Sequence, residues 1–252
     1  MMKKELVSII TPTYNSELYI GYTIESIQRQ TYDDWELLIT DDASTDNTVS
    51  VIESFIRTDR RIKLFKQRIN EGAGIARNNS IKRSNGKYIA FCDSDDLWLP
   101  NKLEKQLKFI KNHNLSFTYS SYFTQDENWK KNGSVYAPSN ICYKEILRNN
   151  YIGCLTALYD VEKLGKVYFP SIRKRQDWVL WINIIERLGI VQGISEPLAI
   201  YTVRKNSISR NKLNLIKYTW DVYHKALNFS LVKSVLYMVQ FLYFYARKKI
   251  KN

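Results

Sequence analysis

Apolar residues come in short runs, and each run in the first hundred residues gives way to a polar or acidic cluster. Leu6–Ile10 leads into Thr11-Pro12-Thr13-Tyr14-Asn15, and Trp35–Thr40 into Asp41-Asp42-Ala43-Ser44. Ile62–Gln67 leads into Asn70-Glu71-Gly72-Ala73-Gly74, and Lys87–Cys92 into Asp93-Ser94-Asp95-Asp96. Runs of this length, bounded by turn residues, predict buried strands. Between them the period becomes helical. Ile20, Ile24 and Ile27 mark one face, and Val49, Ile52 and Phe55 or Ile56 mark another, with Asp46 as the expected N-cap. Residues 72–84 carry a weaker helical pattern on Ile75 and Ile81, and Pro100-Asn101 opens a helix with Leu103, Leu107 and Ile110 on one face. Strand–helix alternation of this kind predicts an α/β fold with a mostly parallel sheet covered by helices on both faces.

The pattern is less regular afterwards. Residues 115–123 predict a fifth strand, and 124–140 a polar loop containing Gly133 and Pro138. Residues 141–175 mix short apolar runs with turn signals and have no assignable period. Asp177–Leu188 predicts a helix stopped by Gly189, and Ile190–Val203 a strand pair broken at Pro197. Two helices are expected to finish the chain, Leu213–Leu227 and a second one whose Leu231, Val235, Val239, Leu242 and Ala246 form a stripe.

Charge divides the chain. Residues 1–100 hold 13 Lys/Arg and 15 Asp/Glu, whereas residues 101–252 hold 25 Lys/Arg and 10 Asp/Glu. A neutral first part and a basic second part suggest two tasks. The basic part suits nucleic acid, anionic lipid or an anionic substrate. It carries no nucleic-acid motif, so nucleic acid is not an expected partner. Cys92, Cys142 and Cys154 have neither disulfide-scaffold nor zinc-site spacing and fit a reducing compartment. The apolar run after Met1–Lys4 breaks at Pro12, too soon for a secretory leader, and no run reaches the length of a membrane span. A cytoplasmic protein is expected. At 252 residues it is long for one domain and not decisively two.

Ligands of open α/β sheets bind beyond the carboxyl ends of the strands, so the four clusters are expected to share a crevice. Asp93 and Asp95 are spaced to hold a divalent cation that neutralises a diphosphate. Taken alone, an acidic turn with Asp96 as a helix cap explains the triplet equally well. Asp42 can accept from a base N–H or a sugar hydroxyl. Arg77 follows a glycine-rich turn and can fork onto phosphate or a base carbonyl, or be a plain surface arginine. Asp177 opens a helix amid Arg173, Lys174 and Arg175, where a carboxylate is also favoured by the helix dipole.

As a set these residues resemble the glycosyltransferase family 2 enzymes. The matching segments are Val7-Ser-Ile-Ile-Thr-Pro-Thr-Tyr-Asn15, Asp41-Asp-Ala-Ser-Thr-Asp-Asn-Thr48, Asn70-Glu-Gly-Ala-Gly-Ile-Ala-Arg-Asn78 and Gly86-Lys-Tyr-Ile-Ala-Phe-Cys-Asp-Ser-Asp-Asp-Leu-Trp-Leu-Pro100. The resemblance is dense over residues 5–110, continues in patches to about residue 212, and leaves out the last forty. It implies a GT-A fold over 1–212, with a nucleotide-sugar half (1–112) and an acceptor half (113–212), followed by a basic amphipathic helical extension (213–252). It also implies an inverting hexosyl transfer from a uridine diphosphate sugar, with Mn²⁺ or Mg²⁺. Pro12, Tyr14 and Asp42 would hold the base, Arg77 would lie beside base or diphosphate, and Asp93-Ser94-Asp95 would form the DxD motif, with Asp95 and Asp93 on the metal. Asp177 would be the general base. Gln176 stands where the family often has an acidic residue. In Tyr201–Ser209, Thr202 replaces an arginine and Arg204 a histidine; Arg204 cannot ligate a metal but can pair with the diphosphate.

Residues 203–252 hold 11 Lys/Arg and one acid, Asp221. With the apolar stripe, this predicts a helix lying at an anionic membrane surface, the inner face of the plasma membrane, where a glycan acceptor on a polyprenyl-diphosphate lipid would be met. A bacterial surface-polysaccharide enzyme is the resulting expectation. A binding protein of the same fold without catalysis is the alternative, resting on Gln176.

Overall fold

The computed structural model describes residues 5–204 and 212–251. In chain order the elements are β1 (Val7–Thr13), α1 (Ile20–Gln28), β2 (Trp35–Asp41), α2 (Thr48–Ile56), β3 (Ile62–Lys66), α3 (Ala73–Arg83) and β4 (Tyr88–Phe91). There follow β5 (Leu97–Trp98), α4 (Lys102–Asn112), β6 (Phe117–Asp126), β7 (Lys131–Val135), β8 (Asn140–Cys142) and α5 (Tyr143–Ile146). The chain continues through β9 (Leu158–Asp160), α6 (Val161–Leu164), α7 (Gln176–Leu188), β10 (Ile190–Val203), α8 (Lys212–Trp220) and α9 (Leu231–Lys251).

Successive strand side chains point to opposite faces, and this alternation splits the core in two. Val7 and Ile9, Leu37 and Ile39, and Tyr88 and Ala90 pack with Ile20, Ile24 and Ile27 of α1, Ile52 of α2 and Leu103 of α4. Ile10, Leu38, Ile89 and Phe91 face the other way, onto Ile81 of α3 and Trp178 and Trp181 of α7. Helices therefore cover both faces, and the GT-A architecture expected from the sequence is the one observed.

The strand order is β3-β2-β1-β4-β9-β6-β10-β5, with β7 added to β6 and β8 to β10. The pairs β1–β2, β2–β3, β1–β4 and β6–β10 are parallel, and β9 is antiparallel to both its neighbours. This topology puts the ends of β1, β2 and β4 side by side.

Several sequence expectations change. Residues 124–140 are not a loop: β6 runs on to Asp126 and turns back as β7. Ile190–Val203 is one strand, not a pair. Pro197, which has no N–H to give the ladder, sits at a bulge where the register with β6 shifts. The unassigned stretch 141–175 contributes β9, the strand that joins the two halves of the sheet. Asp46 lies one residue before the N-cap of α2, Asn47, and its carboxylate accepts from the amide and hydroxyl of Thr48. The first of the two final helices ends in a π-helical turn, Asp221–Ala226.

Candidate active site

The loop after β1 is tied to its neighbours by short polar side chains. Ser16 donates its amide to Thr48 Oγ1 at 2.7 Å and shares a 2.9 Å hydrogen bond with the Ser94 hydroxyl. Asn15, at φ 45°, accepts from the Thr45 amide at 2.8 Å. Pro12 is buried in β1 opposite Thr40, and Tyr14, just past the strand, is 46% exposed. Its ring is displayed at the rim and available for stacking.

Asp41 and Asp42 have different surroundings. Asp41 accepts from the amide and hydroxyl of Ser44, which makes it a turn residue. Asp42 is buried, and its two oxygens accept from the Glu71 and Gly72 amides, each at 2.8 Å. Gly72 has φ 94°, a region that glycine enters without strain. Burial pushes the Asp42 carboxyl pKa up against those two bonds. Each oxygen retains a second lone pair for a ligand.

Beyond β4 the chain turns at once, with the Asp96 amide donating to Asp93 O at 3.0 Å. Asp96 itself is buried and accepts from the Thr202 amide at 3.0 Å, while Thr23 Oγ1 donates to its carbonyl. It is an internal brace joining β4, α1 and β10. Ser94 is turned inward onto Ser16, so its hydroxyl serves as a tie between loops. Asp93 and Asp95 both meet arginines. Arg77 Nη2 lies 2.6 Å from Asp93 Oδ1, and Arg204 Nε lies 2.8 Å from Asp95 Oδ2. Arg77 is buried, with its guanidinium 5.1 Å from the Phe169 ring; Arg204 lies 4.2 Å over the Tyr19 ring.

Asp177 sits in the first turn of α7 and accepts from Asn150 Nδ2 at 2.8 Å. Its desolvated setting pushes its carboxyl pKa up; the Arg77 charge, the Trp178 amide and Asn150 oppose this, and Asp93 adds to it. One guanidinium therefore acts on both Asp93 and Asp177. Gln176 fills a different need. A Cβ on Gly74 of α3 would come within 2.7 Å of Gln176 Nε2, so Gly74 lets α7 and α3 approach, and the Gln176 amide donates to Ile172 O.

The structure thus brings Arg77, Asp93, Asp95, Asp177 and Arg204 together, with Asp42 just past the end of β2, which is two strand spacings from β4, roughly 10 Å, with β1 between them. The sequence reading missed Asn150 and Tyr19, and Asp96, weighed there as a helix cap, is instead a brace, since the following helix α4 is capped at Asn101. Asn150 lies in the stretch without a period, and nothing local distinguishes it from Asn149. Ser207 to Ser209 of the family-like segment lie outside the described residues. Among the described residues, no three His, Cys, Asp or Glu side chains cluster as a metal cage.

Comparison with known proteins identifies the family and the fold. The family description "Glycosyl transferase family 2" matches residues 8–164. A Bacillus subtilis (strain 168) protein named as the putative teichuronic acid biosynthesis glycosyltransferase TuaG is 37% identical over 99% of this chain and 98% of its own length. The Escherichia coli UDP-Glc:alpha-D-GlcNAc-diphosphoundecaprenol beta-1,3-glucosyltransferase WfgD is 40% identical over 88% of this chain and 86% of its own. Among solved structures, S. aureus TarS 1-349 in complex with UDP-GlcNAc superposes with a TM-score of 0.70 at 22% identity, covering 94% of this chain and 71% of that one. The mannosyltransferase PcManGT from Pyrobaculum calidifontis, with GDP-Man and Mn2+, gives 0.69 at 18%, covering 94% and 70%. The chain belongs to glycosyltransferase family 2.

Proposed function

We propose that this chain transfers a hexose, with inversion, from a uridine diphosphate sugar to a hydroxyl of a lipid-linked glycan in bacterial surface-polysaccharide synthesis. The observation that carries the reading is the gathering of Asp93 and Asp95, just past the end of β4, and Asp177, at the start of α7, about Arg77 and Arg204. WfgD supports the donor and acceptor classes by name, and TuaG the polysaccharide setting.

Tyr14 stacks on the base and Asp42 accepts from it, with Pro12 shaping the strand end beneath. A divalent cation fits the donor set. Asp95 and Asp93 would hold it through carboxylate oxygens, the hard donors that Mg²⁺ and close relatives favour. When bound, Mn²⁺ or Mg²⁺ would offset the charge that builds on the leaving diphosphate. Arg77 holds Asp93 in place and lends the diphosphate side a buried positive charge. Asp177, oriented by Asn150, takes the proton from the acceptor hydroxyl as its oxygen attacks the anomeric carbon. The carbon–oxygen bond to the diphosphate breaks on the opposite face, which inverts the centre. The alternative of a non-catalytic binding protein rested on Gln176. That residue's packing against Gly74 gives it a purpose independent of catalysis.

The exposed side of α9 supports attachment to an anionic lipid surface on the cytoplasmic side. Leu231, Val232, Val235, Leu236, Val239 and Leu242 are exposed, and no described helix is long and apolar enough to cross a membrane. The test is transfer of labelled sugar from a panel of UDP-hexoses to synthetic polyprenyl-diphosphate N-acetylglucosamine. Asp95→Ala is expected to lose at least about a hundredfold of the rate, the scale of a lost electrostatic stabiliser. Undiminished transfer by folded Asp95→Ala would refute the role given to the motif.

A further inference from the structure

Asp93 and Asp95 each face an arginine, but the two arginines are held very differently. Arg77 projects from the middle of α3, its side chain is 9% exposed, and it lies against Phe169. It is a fixed counter-charge. Arg204 is the first residue after β10, its side chain is 28% exposed, and among the described residues it meets Asp95 and the Tyr19 ring. Its Nε is 2.8 Å from Asp95 Oδ2 yet has no aligned hydrogen-bond acceptor. The strand end that carries it is anchored, since the Thr202 amide bonds Asp96 and Thr202 Oγ1 accepts from Gln125. The backbone is thus tied at Thr202, whereas among the described residues the guanidinium is held only by a charge and a ring face.

We infer that Arg204 is a stand-in cation on Asp95 that couples nucleotide binding to metal binding. A guanidinium 2.8 Å from Oδ2 and a divalent ion on the same carboxylate repel one another and compete for its negative charge. In the absence of nucleotide, Arg204 neutralises Asp95 and weakens its hold on free metal. A diphosphate gives the guanidinium a better, bidentate partner and draws it off Asp95. The carboxylate is then free for the cation that arrives with the nucleotide. Linkage makes the effect reciprocal: whatever factor UDP adds to metal affinity, metal adds to UDP affinity. Arg77 cannot play this part, because it is buried beneath Asp93 and packed on its helix. The inference rests on the donor-site reading above and adds an order of events to it.

The experiment measures Mn²⁺ binding by electron paramagnetic resonance, with and without UDP, for the whole protein and for Arg204→Gln and Arg204→Lys. Free Mn²⁺ should bind Arg204→Gln about five- to tenfold more tightly than wild type. The gain in Mn²⁺ affinity caused by UDP should shrink in Arg204→Gln, and Arg204→Lys should fall between. Equal free-Mn²⁺ affinity in wild type and Arg204→Gln, with the UDP effect intact, overturns the coupling and leaves the donor site standing. Failure of wild type to bind Mn²⁺ even with UDP overturns both. UDP binding followed by calorimetry in the same samples shows whether a folded nucleotide site is present.

Discussion

Asp177 is under opposed influences. Burial pushes its pKa up, while Arg77, the Trp178 amide and Asn150 hold it down. A general base works when ionised, so activity should rise with pH through the Asp177 pKa, with that acidic limb above the ordinary aspartate value of about 3.9. Asn150→Ala removes a hydrogen bond that favours the charged form. The limb should then move to higher pH, and the rate should fall more on the acid side of the profile than on its plateau. A kcat–pH profile of wild type and Asn150→Ala checks this; coincident limbs would remove Asn150 from its positioning role. At this scale, strand-end position pointed to Asp42, Asp93 and Asp95, whereas Arg77 and Asp177 took their expected roles from the resemblance to the family. Neither signal could nominate Asn150, which reaches Asp177 across 27 residues of sequence.

Helices α3 and α7 meet through a glycine. Gly74→Ala would drive a methyl into the Gln176 amide, at 2.7 Å from Nε2. An overpacked contact of this kind costs about 1–3 kcal/mol, and because the two side chains touch, Gln176→Ala should relieve part of it. Denaturant unfolding of both single variants and the double variant tests the contact; strictly additive losses would argue against it. The same elements show what local pattern can reveal. β1 to β4 and their helices were legible because each builds a full period from neighbouring residues. Residues 141–175 were not, since β8 finds its partner in β10 and β9 slots between β4 and β6. In helix α9 the stripe read from the sequence, Leu231, Val235, Val239, Leu242 and Ala246, faces outward, while a second side that the pattern did not single out, Ser234, Met238 and Phe241, packs inward.

Across the whole molecule, the inward side of α9 packs against the helix that carries Asp177. Phe241 lies 5.8 Å from the Trp178 ring of α7, and Arg175, the left-handed residue that starts α7, stands 5.1 Å over Phe241. Helix α9 therefore backs the helix that carries Asp177. Its outward stripe, with Lys233 on the same helix, suits insertion among anionic headgroups. Leu236→Glu with Val239→Glu should cut co-sedimentation with phosphatidylglycerol vesicles about tenfold while leaving UDP affinity unchanged; undiminished vesicle binding would locate the attachment elsewhere. The central claim is that a sugar nucleotide held at the strand ends reacts under the control of Asp177. The most direct measurement compares UDP binding by calorimetry with single-turnover transfer to a lipid-linked acceptor in Asp177→Asn. The account predicts affinity within about twofold of wild type and a transfer rate lower by at least about a hundredfold, the upper part of the range for lost general-base catalysis. Transfer at the wild-type rate by Asp177→Asn would contradict it.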